Sequence, residues 1–105
     1  MSTDNKRLLI EIDKSIREIN RSVINPQIQA LSVKDLNPVI ELVARARSRY
    51  LKALFDIAAE VGEGMPSTDQ LKQLRYHRVA FEELRDGVQA LEAAIERSYL
   101  DVTRD

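Results

Sequence analysis

Of the side chains that titrate or react near neutral pH, this sequence offers one histidine, His77, and no cysteine in 105 residues. A lone histidine could accept phosphate, move a proton or ligate a metal, and its neighbours restrict each role. The run Tyr76-His77-Arg78-Val79-Ala80-Phe81 lacks the lysine and glycine that follow the acceptor in helical phosphotransfer modules. Metal ligation along a helix needs a second ligand three or four residues away, where Leu74 and Phe81 stand. No metal and no cofactor is expected. On its helical seam, His77 is expected to join Tyr50 in a polar core layer that fixes register.

Glu82-Glu83 and the acidic residues Glu92, Glu96, Asp101 and Asp105 supply carboxylates. General acid–base work needs two of them converging across a cleft, whereas neighbours on one helix diverge by about 100°. They read as a solvated surface, and the chain does not read as an enzyme. Arg45, Arg49 and Lys52 share one helical face, and a hairpin would bring Arg75 and Arg78 to the same level. Such a patch could hold a phosphate or an acidic partner. Glu41, Asp56 and Glu60 continue that face and Glu82 stands four residues from Arg78, so it reads first as a solvated, salt-bridged surface. Across the chain, 16 Lys and Arg stand against 17 Asp and Glu, and tryptophan is absent. That balance gives no general attraction to nucleic acid or anionic lipid.

These groups must be positioned by helices. From about residue 4 to 23, Leu9, Ile12, Ile16, Ile19 and Val23 recur at spacings of three and four, a narrow coiled-coil-like seam. Residues 24–37 form a connection too apolar to float, punctuated by Asn25-Pro26 and Asn37-Pro38, with a capping-box-like turn expected between Ser32 and Asp35. A second helix is expected over about 38–61, with Val39, Val43, Ala46, Tyr50, Leu54, Ile57 and Val61 on one stripe. A turn at 62–67 comes next, with Gly62 as C-terminal cap, Pro66 as breaker and Ser67 or Thr68 as the next cap. The third helix is expected over about 68–102, with Leu91, Ile95, Tyr99 and Val102 near its end, and Gly87 admitting another backbone or a slight bend.

The short turn makes the last two helices an antiparallel hairpin, with facing pairs that put Tyr50 near His77 or Arg78. The expected fold is all-α: one domain over 1–105, a long hairpin with an N-terminal helix along it, forming a three-helix bundle or a larger bundle by dimerisation. The regular seams and an expected overhang of the third helix favour a homodimer. With no apolar run long enough to span a membrane, the chain reads as soluble and cytoplasmic. Surplus apolar seam without a catalytic constellation implies a non-enzymatic protein–protein interaction module, adaptor or chaperone-like. Its partners would be itself and another protein, with Leu91, Ile95, Tyr99 and Val102 as anchors and Arg45, Arg49 and Arg78 as orienting charges. The alternative is a small signalling or phosphate-ligand-binding bundle centred on His77 and the neighbouring arginines.

Overall fold

Capping chemistry sets where each helix begins. In a computed structural model that describes residues 2–103, Ser2 accepts the N–H of Asn5 through its hydroxyl at 3.1 Å and starts α1 (Thr3–Ile24). A 3-10 turn, Asn25–Gln27, comes after it and contains Pro26. Ser32 and Asp35 then cap reciprocally. The Asp35 N–H donates to Ser32 Oγ at 3.4 Å, and Asp35 Oδ2 accepts from the Ser32 N–H at 2.9 Å. That N–H, and then the Ser32 hydroxyl, hold the Asp35 carboxyl below its ordinary pKa. Ser67 and Gln70 repeat the device at the start of the last helix, with bonds of 2.8 and 3.1 Å. The described residues are all-helical apart from turns and one isolated bridge: α1, then α2 (Val33–Val61) and α3 (Thr68–Glu96), which pack on each other. Asp105, one of the acidic residues of the sequence, lies outside the described residues.

Two boundaries differ from the expected ones. α2 begins at Val33 and not at Pro38, because the Ser32–Asp35 box already satisfies the first free N–H groups. Pro38 is carried inside the helix, where it gives no N–H to the Lys34 carbonyl. α3 stops at Glu96, short of 102. Ser98 turns into the left-handed region at φ 63°, and the N–H of Tyr99 closes on the Ala94 carbonyl at 2.8 Å, a Schellman-type ending without its usual glycine. Each arm of the hairpin therefore has 29 residues, and the expected overhang is absent. Gly62 ends α2 as expected, at φ 56°. Among the described residues no other backbone crowds Gly87, since a Cβ built there would meet nothing within 4 Å.

Ser98 gives a direct test of this ending. A non-glycine residue in the left-handed region is disfavoured by about 1 kcal/mol or more. Ser98→Gly should therefore raise stability by about 1 kcal/mol, read as a higher urea midpoint at unchanged slope.

By its contacts the chain divides into two units, Asn37–Gln89 and a discontinuous one made of Met1–Leu36 with Ala90–Asp105. In the first, Val43, Ala46, Tyr50, Ala53, Ile57 and Val61 of α2 are buried or half-buried, as are Gln70, Leu74, His77, Phe81, Leu84 and Val88 of α3. The seam runs through Ala53, while Leu54 is 48% exposed. Ile57, 9% exposed, is the buried residue at its centre. Phe81 sits 6.3 Å from the Tyr50 ring, with the Arg47 and Arg85 guanidiniums over its faces at 5.0 and 5.4 Å. Nearer the turn, Gln70 donates to Glu60 at 2.9 Å.

In the second unit the segment after α3 closes on the connection after α1. Leu31 donates to the Asp101 carbonyl at 2.9 Å and accepts from the Thr103 N–H at 2.7 Å, forming a parallel bridge between Leu31 and Val102. Leu100, in the same segment, is buried at 3% exposed. Arg21 donates to the Ser98 carbonyl and to Asp101 Oδ1, both at 2.8 Å, and Asn25 donates to Asp101 Oδ2 at 3.2 Å. Asp101, read from sequence as solvated, is thus the centre of a clasp.

Candidate functional site

Helical spacing assembles one cleft within the α2–α3 hairpin. Leu42, Arg45 or Ala46, and Arg49 stand on successive turns of α2 and line one wall. Tyr76, His77, Ala80 and Leu84 do the same on α3, and the space between them is about 230 Å³. Its depth has a simple origin: two alanines, Ala46 and Ala80, stand where larger side chains would close the seam.

The positive charges of α2 are sorted by this geometry. Arg45 and Arg49 line the cleft, and among the described residues neither enters an ion pair. Arg47 turns to Phe81. Lys52, grouped with Arg45 and Arg49 from sequence, turns instead to Asp56 at 2.8 Å. That bond and the Asp56 charge raise the ammonium pKa. The lining residues include two guanidiniums, an imidazole and a phenol, and no carboxylate.

The remaining expected site residues fall elsewhere. Arg78 is half-buried and paired with Glu82 at 3.3 Å, outside the cleft lining. Tyr50 packs on Phe81, whereas the half-buried His77 ring meets Tyr76 edge-on at 5.5 Å. Leu91, Ile95 and Tyr99 are half-buried in the discontinuous unit, and Val102 is 46% exposed beside its bridge to Leu31. Tyr76 and Ala80 are lining residues that the seam pattern does not single out, although Tyr76 stands beside His77 and Ala80 one turn further along the same wall.

The larger apolar surface is on α1. Leu9, Ile12, Ile16, Ile19 and Val23 are 43–62% exposed, and Leu8 and Ile10 beside them are 56% and 70% exposed. The half-buried residues of α1 are Asp13, Asn20 and Ile24. At 100° per residue these lie roughly 80° around the helix from the middle of the seam. α1 therefore turns a polar edge toward its own unit, through contacts such as Asp13 with Arg97 at 3.5 Å, and leaves much of the seam uncovered. Among the described residues, no three His, Cys, Asp or Glu side chains gather as a metal centre would require, and no helix is long and apolar enough to cross a membrane. No family model, curated protein or solved structure matches the chain.

The clasp around Asp101 has its own pH signature. Hydrogen bonds from Arg21 and Asn25, then the Arg21 charge, hold its carboxyl below the ordinary value of 3.8. A carboxylate held low contributes stability that is complete above its unfolded pKa and is lost as pH falls through the folded one. Asp101→Asn should melt below wild type at neutral pH, and the gap should close below about pH 4. Asp35 is unchanged in both chains, so its own titration cancels in the comparison.

Proposed function

We propose that this chain is a non-enzymatic, cytoplasmic protein-interaction module that works by completing a helical bundle, first with a second copy of itself and then with another protein. The observation that carries the proposal is the uncovered seam of α1, five apolar residues at spacings of three and four over about four turns. A seam of this regularity is self-complementary, because knobs at these spacings fit the holes of an identical helix. Its area supports the same reading. At roughly 100 Å² of exposed surface per residue the five supply roughly 500 Å² per copy, the size of the largest apolar patch on an ordinary monomer, about 300–600 Å², which is often functional. Two such faces, with their flanking residues, reach the range of a specific interface. Leu91, Ile95 and Tyr99 act here mainly as packing residues of their own unit. Sedimentation across a concentration range tests the proposal: a reversible dimer supports it, and a monomer at every concentration removes its basis.

A further inference from the structure

The cleft between α2 and α3 carries a separate inference, independent of what α1 binds. We infer that it is a binding site for a phosphomonoester carried on a small apolar group. Arg45 and Arg49 lie one turn apart on the same wall, a like-charged pair that is unfavourable when left without a counter-ion. Other cations of the same helix have partners, Arg47 on Phe81 and Lys52 on Asp56, but the described residues give these two no carboxylate. His77 and Tyr76, the latter 71% exposed, line the other wall on α3 and bring N–H and O–H donors to the same space.

A doubly charged phosphoryl oxyanion suits this set better than a single carboxylate, because guanidiniums bind its oxygens through paired N–H groups and two of them neutralise its charge. The other half of the lining is apolar: Leu42, Ala46, Ala80 and Leu84. At about 230 Å³ the space is several times the share of one water, about 30 Å³, and admits a ring-sized carrier behind the phosphoryl group.

The test monitors the His77 ring protons and the backbone amides of the full chain by NMR during titration with phenyl phosphate, inorganic phosphate, benzoate and a glutamate-rich peptide. The expected result is a saturable shift at His77, Tyr76 and Ala80 with phenyl phosphate, at a dissociation constant of about 1 mM or below. Inorganic phosphate should bind more weakly and the two carboxylate probes at least tenfold more weakly. Arg45→Gln combined with Arg49→Gln, two exposed positions whose loss should leave the amides of Glu60 and Gln70 unmoved, should weaken phenyl phosphate at least tenfold. Absence of a saturable shift, or an equal response in the double variant, overturns the site. Inorganic phosphate binding as tightly as the ester overturns the apolar carrier, and benzoate or the peptide doing so reassigns the cleft to carboxylates or an acidic protein segment.

Discussion

Ile57→Ala should lower the stability of the α2–α3 hairpin by about 2–5 kcal/mol, the range for emptying a filled apolar position. Among the described residues of its unit Ile57 is the one that is buried, and its neighbours along the seam are only half-covered. A hairpin with so little enclosed surface has few other contacts to fall back on, and small domains are held by only about 5–15 kcal/mol in all. The matched control is Leu54→Ala, at a residue of similar size that is 48% exposed. Its cost should be about half that of Ile57→Ala or less, since much of the side chain is already in water. Urea unfolding of the two variants reads the difference, and equal losses would place the seam through Leu54.

The second large effect concerns α1. Ile19→Asp combined with Val23→Asp should turn a dimer into a monomer. These positions are 61% and 62% exposed, so they are the part of the seam least used within the chain. Two substitutions in each of two copies remove four interface side chains, each with about 60% of its surface still to be buried, or about 4 kcal/mol as a lower figure from about 1.5 kcal/mol per fully buried side chain. That corresponds to at least about several hundred-fold in the dissociation constant. Helical circular dichroism of the variant should match that of wild type at concentrations where wild type is itself dissociated. A variant that remains dimeric would move the interface off α1, toward a shallow face such as that of Ala44, Leu51 and Phe55 on α2.

The parts of this architecture legible in the sequence are those written locally. The α1 helix, the Ser32–Asp35 box, the Gly62 ending and the Ser67 start each occupy a short stretch of chain, and the structure forms all four, though it leaves the seam of α1 uncovered. The hairpin register is nearly local too, because it depends on the position of the turn, and it brings Arg45, Arg49 and His77 to one cleft. The end of α3 was not legible. Helical periodicity continues through Ser98 to Val102, and nothing near Ser98 announces a stop; the chain leaves the helix where Arg21, Asn25 and Leu31 can hold residues 98–103. Those partners lie some 70 residues or more away, beyond the reach of any window on periodicity or propensity. Pro38 misled for the complementary reason: a strong local start signal was present, but an earlier capping pair had already begun the helix.

The division of the chain also sets an order of events during synthesis. The hairpin unit, Asn37–Gln89, is continuous, so its contacts require only its own residues to have left the ribosome. The other unit is interrupted by the whole of that hairpin, so Leu31 waits for Asp101 and Thr103 before its two backbone bonds can form. The discontinuous unit is therefore completed last, when Asp101 and Thr103 reach Leu31.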